Sequence, residues 1–256
     1  MSEKISIKEI KVKLAEVTKP EDPFLQDLMK DERKGVQQLY STWKRQYQKQ
    51  AELHTNFYHM RKNEEKLWEE GYKLVGGIDE VGRGPLAGPV IASCVVLSAD
   101  FYLPGLTDSK KLSKQKRNEY FQRITEEALH IGIGIATADE IDKVNIYEAT
   151  KIAMQRAVDN TETQLDYLLL DAMKLPNNIP QSSIIKGDSI SISIAASSVI
   201  AKVTRDRYME ELAERHPQFG FERHMGYGTV DHLQAMREFG AISEHRRSFA
   251  PVKEVI

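Results

Sequence analysis

The sequence predicts an α/β fold in which helices flank a central sheet, preceded by a separate helical extension. In the later part of the chain, short runs rich in Val, Ile and Leu alternate with helical patterns, as they do in α/β layer folds. The first part differs, because it is polar, contains only one glycine, Gly35, and repeats its apolar side chains at helical spacing. We therefore expect an N-terminal helical extension over residues 1–70 and a main domain over residues 71–256.

The extension opens with a helix-start signal that is followed by a proline stop. Ser6 with Glu9 three residues later fits a capping box, in which each side chain bonds the other residue's backbone amide. Pro20 and Pro23 are expected to end the helix that this signal begins. From about residue 31 to residue 70, aromatic and aliphatic side chains recur at helical spacing and predict one or two longer amphipathic helices.

The main domain shows five strand patterns and several helical ones. The predicted strands cover residues 74–79, 89–97, 131–136, 167–171 and 183–185. The predicted helical regions cover about residues 114–130, 138–160 and 193–215, with Ser113 as the expected N-cap of the first. Residues 103–113 resemble a loop, and the last forty residues mix helix and loop. These local patterns leave the order of the strands in the sheet open.

The composition limits the compartment and the partners. Its single cysteine, Cys94, excludes an internal disulfide and a cysteine-rich zinc site, and favours a reducing compartment. A charged N-terminus is unlike a signal peptide, and no apolar run is long enough to span a bilayer, so we expect a soluble, cytoplasmic protein without a membrane partner. The net charge of −2 does not indicate a nucleic-acid partner, so any basic surface must be local.

Four carboxylates lie at the ends of predicted strands. Asp79 and Glu80 end the first strand, Asp171 ends the fourth, and Asp188 follows the fifth. Acidic side chains beside apolar runs are costly to bury unpaired, and a divalent cation would neutralise them. Hard oxygen ligands suit Mg²⁺ or Mn²⁺. Each acid alone could equally be a helix cap or a turn former, and the pattern does not separate a nuclease from a phosphatase or a binding domain.

Longer motifs narrow this choice. Residues 77–90, GIDEVGRGPLAGPV, closely resemble the opening motif of bacterial ribonuclease HII, of the type 2 RNase H family. Further segments resemble that family in the same order, and together they cover roughly residues 73–252. They are LTDSKKL at 106–112, LLDA at 169–172, KGD at 186–188, IAKVTRD at 200–206, GYGT at 226–229 and HRRSF at 245–249.

The resemblance implies an RNase H-like fold with a mixed central sheet and C-terminal helices that bind substrate. It also implies hydrolysis of the RNA strand in RNA–DNA hybrids, and cleavage 5′ of a single ribonucleotide embedded in duplex DNA, a step of ribonucleotide excision repair. The products would carry 3′-hydroxyl and 5′-phosphate ends. By motif position, Asp79, Glu80, Asp171 and Asp188 match the family's metal-binding carboxylates, which would use Mg²⁺ or Mn²⁺, two ions during catalysis.

The same resemblance implies residues that recognise the substrate. Gly82, Arg83 and Gly84 match the loop that detects the ribose, where glycines let the backbone approach closely. Tyr227 matches the aromatic residue that senses the RNA-to-DNA junction. His224 and His232 flank it in sequence, and we expect them to shape its loop rather than to act in catalysis.

A basic set could contact phosphates without reading sequence. It consists of Lys110, Lys111, Lys202 and Arg205. Lys202 and Arg205 lie three residues apart, so they share a helix face. For Lys111, a solvated surface position is an equally good interpretation.

Two competing interpretations of the main domain stay open at this point. Ribonuclease HIII is a related hybrid nuclease, but arginine is not expected in its glycine loop, so Arg83 favours type HII. A catalytically silent nucleic-acid-binding protein would not need all four carboxylates.

The extension has two possible partners. Its basic residues Lys44, Arg45 and Lys49 could lengthen the duplex-binding surface, or the extension could bind another protein. The neighbouring aromatics, which are Tyr40, Trp43 and Tyr47, are expected to dock on the main domain. We expect the protein to be a monomer.

Overall fold

The computed structural model describes residues 5–255. Contacts divide the chain into two compact units, Met1–Asn56 and Phe57–Ile256. The division falls inside helix α3, Lys34–Glu69, instead of at the end of the extension near residue 70. Helical periodicity continues across residue 56, so local sequence gives no sign that the last turns of this helix pack with the second unit.

The first unit is built from three helices. Helix α1, Ile7–Glu16, begins with the predicted capping box: Glu9 N donates to Ser6 Oγ at 3.2 Å, and Ser6 N donates to Glu9 Oε2 at 2.9 Å. Helix α2, Pro23–Lys30, was not predicted. Pro23 begins this short helix as well as ending the preceding pattern, because a first-turn proline lacks only an amide that the helix would not use.

The aromatic residues of α3 pack within this first unit. Tyr40 and Trp43 lie against the cluster of buried Ile10, Leu14, Leu25, Leu28 and Val36. Trp43 Nε1 donates to the Val17 carbonyl at 3.3 Å, and the Tyr47 ring stacks on Trp43 with centroids 5.2 Å apart. Helices α1 and α2 thus supply the apolar surface that these aromatics cover within the first unit, and their docking on the main domain stays a prediction.

The second unit contains a five-stranded mixed sheet. Its strands are β1 Val75–Val81, β2 Val90–Val96, β3 His130–Ala136, β4 Tyr167–Asp171 and β5 Gln181–Ile184. The order across the sheet is β3-β2-β1-β4-β5. Strands β1, β2 and β3 pair antiparallel, whereas β4 pairs parallel with both β1 and β5. All five predicted strands are present, with ends that differ by at most two residues.

Helices cover both faces of this sheet. They are α4 Lys114–Glu127, α5 Ala138–Val144, α6 Ile146–Asp159 and α7 Ile192–Arg215. The remaining helices, α8 Phe221–His224, α9 Val230–Phe239 and α10 Ala250–Lys253, pack against the second half of α7. Short 3₁₀ turns lie at Ser109–Lys111, Gly187–Ser189 and Pro217–Phe219. Cys94 and Val96 of β2 pack with α6, while Val95 between them packs with α4, α7 and the end of α3. Because successive strand residues face opposite sides, these helix groups cover opposite faces.

Two helix starts show how local sequence sets the boundaries. Ser113 caps α4 as predicted, by accepting from Lys116 N at 3.2 Å. The single helical region predicted over residues 138–160 is divided at Asn145, which has a φ of 73°. Its side chain accepts from Tyr147 N at 2.9 Å and from Glu148 N at 3.1 Å, and so caps α6. Asparagine tolerates a positive φ better than most residues.

Among the described residues, no helix is long and apolar enough to cross a membrane.

Helix α7 lies unusually close to strand β1. A Cβ atom on Gly77 would lie 2.2 Å from the backbone carbonyl carbon of Ser193 and 2.4 Å from Ile194 N. Further along α7, Ser197 Oγ accepts from Asp79 N at 3.0 Å and donates to the Ser93 carbonyl at 2.6 Å. The absence of a side chain at Gly77 therefore lets α7 bond the strand that carries Asp79.

Replacing Gly77 by alanine should destabilise the second unit strongly, because the new methyl group would meet backbone atoms that cannot move aside. We expect a loss of about 3 kcal/mol or more in the free energy of unfolding. Gly76→Ala is the matched control, because its Cβ would meet only side chains, with Cys94 Sγ nearest at 2.8 Å. Urea unfolding of both variants would measure the difference, and equal losses would contradict this account of Gly77.

Candidate active site

The strand order gathers the predicted carboxylates at one edge of the sheet. Strands β1 and β4 run parallel, and Ile78 pairs with Leu170, so the following residues Asp79 and Asp171 lie side by side. Asp171 in turn pairs with Ile184 at the end of β5, after which the chain turns back through the 3₁₀ turn that contains Asp188. The topology that the sequence left open thus brings these acids together.

The acids influence one another electrostatically. Burial, followed by the charges of Glu80 and Asp171, raises the pKa of Asp79 well above its usual range. Burial and the charge of Asp171 also raise the pKa of Glu80, although Arg83 opposes that rise. The pKa of Asp188 is raised by burial, by Asp108 and by Asp171. Asp171 therefore acts on the other three carboxylates, and the cluster favours a bound cation.

Asp108 is a member of this site to which the sequence analysis gave no role. Its carboxyl group is close enough to Asp188 to form a hydrogen bond that raises the pKa of Asp188. Asp108 also caps the 3₁₀ turn at Ser109–Lys111 by accepting from Lys110 N at 2.9 Å. The sequence feature that could have revealed this role of Asp108 is its place in the LTDSKKL motif. However, an aspartate that caps a turn and an aspartate that belongs to a functional site look the same in sequence.

The donor set suits a hard divalent cation. Glu80 Oε1 accepts from Arg83 Nη1 at 3.3 Å, whereas Glu80 Oε2 is buried and has no hydrogen-bond partner in the described part of the chain. Asp171 is oriented by Gly187 N, which donates to its Oδ1 at 2.8 Å. Buried oxygen atoms without donors are the atoms that Mg²⁺ or Mn²⁺ prefers. Within residues 5–255, however, no three His, Cys, Asp or Glu side chains already form a close metal cage.

Two buried arginines hold the loop at residues 82–89, here called the glycine loop, which follows the strand that carries Asp79 and Glu80. Arg246 Nη1 donates to the Arg83 carbonyl at 2.9 Å, while Nη2 donates to the carbonyls of Gly82 at 2.5 Å and Gly88 at 2.8 Å. Burial, and after it the charge of Arg205, lowers the pKa of Arg246 to about 9, so it stays charged at neutral pH. A charged donor that spans three carbonyls fixes the loop more firmly than neutral bonds would.

Arg205 is the second buried arginine that holds the glycine loop, and its predicted contact with phosphates was wrong. Its side chain is 1% exposed and donates to the carbonyls of Ala87 at 3.0 Å, Pro89 at 3.0 Å and Met225 at 2.9 Å. The i, i+3 spacing correctly put it on α7 near Lys202, but spacing does not show that the facing surface is covered by the loop. Sequence reasoning also missed the role of Arg246, although its HRRSF motif was recognised.

Tyr227 lies beside the glycine loop. A Cβ atom on Gly84 would lie 3.5 Å from Tyr227 Cε1, and the tyrosine is 48% exposed. The two loops are joined by the Leu86 amide, which donates to the Gly226 carbonyl at 2.8 Å. The structure thus brings together the glycine loop and Tyr227, to which the resemblance assigns recognition of the substrate.

The predicted basic residues differ in their surroundings. Lys110 is exposed, and its charge opposes the rise in the pKa of Asp188. Lys111 Nζ donates to Ser189 Oγ at 3.0 Å, beside the same turn. Lys202 forms an ion pair with Asp206 at 2.6 Å. Contact of these lysines with phosphates stays a prediction.

A chain of neutral histidines supports Tyr227. Ile242 N donates to His245 Nδ1 at 3.0 Å, so the proton of His245 lies on Nε2, which is 3.0 Å from His232 Nε2. His232 must accept there, which leaves its Nδ1 to donate to the Tyr227 carbonyl at 2.9 Å. Burial lowers the pKa of both His232 and His245 to about 4, so the chain is neutral at physiological pH.

These histidines should make the fold sensitive to acid. Between pH 6.5 and about 4, the unfolded chain binds protons that the folded histidines do not, so stability falls as the pH falls and is highest above pH 6.5. We expect the melting temperature to decrease by several degrees over this range. His232→Gln should reduce the decrease, whereas the exposed His59→Gln control should not. An unaltered pH dependence in His232→Gln would refute this explanation.

Comparison with known proteins identifies the family. A family model for ribonuclease HII matches residues 76–252, and a model for the ribonuclease HII N-terminal domain matches residues 6–68. Ribonuclease HII of Bacillus cereus (strain G9842) is 54% identical over 254 residues, which is 99% of each chain. Ribonuclease HII of Geobacillus sp. (strain WCH70) is 52% identical over 253 residues, or 99% of this chain and 91% of that protein.

Solved structures show the same fold at low sequence identity. Ribonuclease H2 from Pyrococcus horikoshii OT3 matches with a TM-score of 0.61 and 23% identity, covering 71% of this chain and 96% of that one. A Bst-RNase HIII structure in complex with Mn²⁺ matches with a TM-score of 0.56 and 17% identity, covering 72% of this chain and 69% of that one. The RNase H-like fold is thereby confirmed, and the chain belongs to the ribonuclease HII family and is a ribonuclease H.

Proposed function

We propose that this ribonuclease hydrolyses the RNA strand of RNA–DNA hybrids and also cuts 5′ of a single ribonucleotide embedded in duplex DNA. The products would carry 3′-hydroxyl and 5′-phosphate ends. The observation that carries this proposal is the position of the carboxylate cluster beside a braced glycine loop and the exposed ring of Tyr227. A cleavage site and a ribose-sensing surface would then meet the same nucleotide.

Asp79, Glu80, Asp171 and Asp188 would hold two divalent ions, Mg²⁺ or Mn²⁺. When bound, such a pair of ions stabilises the attacking and leaving oxygens of a phosphodiester. The protein's own part is to present carboxylate oxygens at fixed positions: Gly187 N orients Asp171, and Arg83 orients Glu80. Lys110 would offset part of the phosphate charge beside Asp188.

The ribose would be recognised by Gly82, Arg83 and Gly84. A 2′-hydroxyl group both donates and accepts hydrogen bonds, which distinguishes RNA from DNA at a single nucleotide. Arg246 already engages the carbonyls of Gly82 and Arg83, so the loop keeps its shape before substrate binds. Tyr227 would stack on the sugar at the junction, since its ring lies against Gly84. Arg83 distinguishes this loop from that of ribonuclease HIII.

The extension and the main domain would have separate tasks. We assign cleavage to residues 71–256, including the C-terminal helices, and substrate or protein binding to residues 1–70. Lys44, Arg45 and Lys49 are exposed on α3 and could follow the phosphates of a long duplex. The protein would act as a cytoplasmic monomer.

Asp171→Asn should abolish nearly all cleavage while leaving the fold intact. The substitution removes the charge that acts on the other three carboxylates, so metal would no longer be held correctly. We expect a loss of about 100-fold or more in kcat, since several kcal/mol of transition-state stabilisation depend on the metal site. The assay is cleavage of a labelled DNA duplex with one ribonucleotide, in Mg²⁺ and in Mn²⁺.

Asp100→Asn is the matched control, because Asp100 is exposed and is not among the groups that shift the pKa of the clustered carboxylates. Circular dichroism and melting curves would show whether each variant is folded. Near wild-type turnover by a folded Asp171→Asn protein would disprove the assignment. Failure of the wild-type protein to cut at the single ribonucleotide, with normal hybrid cleavage, would restrict the activity to hybrids.

Tyr227→Ala should reduce cleavage at a single embedded ribonucleotide more than it reduces affinity for plain DNA duplex. The reason is that the ring would contact the junction sugar and not the phosphates along the duplex. We expect about a tenfold loss or more in kcat/KM, since one stacking contact is worth about 1–3 kcal/mol. Tyr147→Ala is the matched control, because Tyr147 is also 48% exposed. An equal loss of binding to every duplex would indicate a general docking role instead.

A further inference from the structure

The turn that carries Asp188 is held from the side by helix α3. Asn63 Nδ2 donates to the Ile190 carbonyl at 3.1 Å. Next to it, Glu64 is fully buried, and its Oε1 accepts from Ser193 N at 3.0 Å and from the Ser193 hydroxyl at 2.5 Å. The Ser191 hydroxyl donates to the same oxygen. Three donors from the start of α7 therefore converge on one carboxylate oxygen of α3.

Backbone bonds carry this restraint to the carboxylate cluster. Ser191 N donates to the Gly187 carbonyl at 2.8 Å, which closes the turn around Asp188. Gly187 N donates to Asp171 Oδ1 at 2.8 Å. The Ser191 hydroxyl also caps α7, by accepting from Ile194 N at 3.2 Å. An unbroken series of hydrogen bonds thus runs from Glu64 through Ser191 and Gly187 to Asp171, with Asp188 inside the turn.

Stability alone does not account for an acid at this position. Glu64 Oε2 is buried and has no hydrogen-bond partner among residues 5–255, and burial raises the pKa of this carboxyl group. A buried polar atom without a partner costs about 1–3 kcal/mol, so a side chain with a single acceptor oxygen would satisfy the same three donors at a lower cost. The carboxylate fixes the position of the chain between Gly187 and Ser193, because one of its oxygens accepts hydrogen bonds from all three donors.

We propose that Glu64 is a positioning residue for the metal-binding carboxylate Asp188. It lies before residue 71, in the part of the chain that the sequence assigned to the extension. Helix α3 would therefore contribute to the geometry of the catalytic site as well as to the first unit. This inference rests on the proposed function, in which Asp188 and Asp171 hold the metal.

The test is Glu64→Gln in the full-length protein. The amide keeps an acceptor oxygen for the three donors but removes the negative charge that strengthens these hydrogen bonds, so the donors are held less firmly. Groups that orient metal ligands typically change metal affinity or activity by about 10–100-fold. We expect Mn²⁺ binding, measured by calorimetry without substrate, to weaken about tenfold. The Mg²⁺ concentration that gives half-maximal cleavage should rise similarly, with KM for the duplex unchanged at saturating Mg²⁺.

Glu69→Gln is the matched control, since it changes an exposed glutamate on the same helix. If Glu64→Gln does not fold, Ser193→Ala removes one of the three donors, leaves the acid in place, and should weaken Mn²⁺ binding less severely. A folded Glu64→Gln protein with a lower melting temperature but wild-type Mn²⁺ affinity would show a purely structural role and overturn the proposal. Wild-type Mn²⁺ affinity in Ser193→Ala would overturn it as well.

The failure of the proposed function would look different. In that case the wild-type protein itself would not bind Mn²⁺, or Asp171→Asn would leave both Mn²⁺ binding and cleavage intact. If Asp171→Asn abolishes binding and Glu64→Gln does not alter it, only the role of Glu64 is refuted.

Discussion

Helix α7 lies so close to strand β1 that Gly77 has no room for a side chain, and the carboxylate site depends on that contact. Small residues along the first half of α7 let Ser197 reach the amide of Asp79 at 3.0 Å. The start of the same helix follows directly on the turn that contains Asp188. Its second half carries Arg205 into the glycine loop. One helix thus links the three parts of the site, and a shift of α7 would move all of them.

The site contains buried acidic side chains and, separately, buried basic side chains. On one side, burial and the charge of Asp171 raise the pKa of Asp79, Glu80 and Asp188. On the other side, Arg205 and Arg246 are fully enclosed, and carbonyl oxygens surround them instead of carboxylates. The arginines therefore keep the loop rigid without neutralising the acids, whose charge stays available to a cation. Buried charges that were paired directly would not leave that charge available.

Under the proposed function, this arrangement would separate recognition from chemistry. The glycine loop and Tyr227 are held by two arginines and by neutral histidines, through bonds to backbone carbonyls. The carboxylates, by contrast, are gathered but do not yet form a cage in the part of the chain that the structure describes. If the proposed function holds, a rigid loop beside acids that a cation would order suits a nuclease that selects its substrate by one hydroxyl group.

The sequence by itself determined the five strands and the family, although it missed helix α2 and the division of residues 138–160 into two helices. Alternating apolar runs located all five strands, Ser6 and Ser113 marked two helix starts, and ordered motifs pointed to the family and to the four acids. These features succeed because capping, periodicity and motif spacing depend on residues that are near one another in the chain.

Only the tertiary structure decided what is distant in the chain. It set the strand order that places Asp79 beside Asp171, buried Arg205 under the loop, and divided the chain inside α3 instead of near residue 70. It also brought Glu64 against Ser193, which lies 129 residues later. Local patterns cannot show these contacts, because the same arginine or glutamate on a helix is equally compatible with solvent and with a buried partner, and only the packing of other elements selects between them.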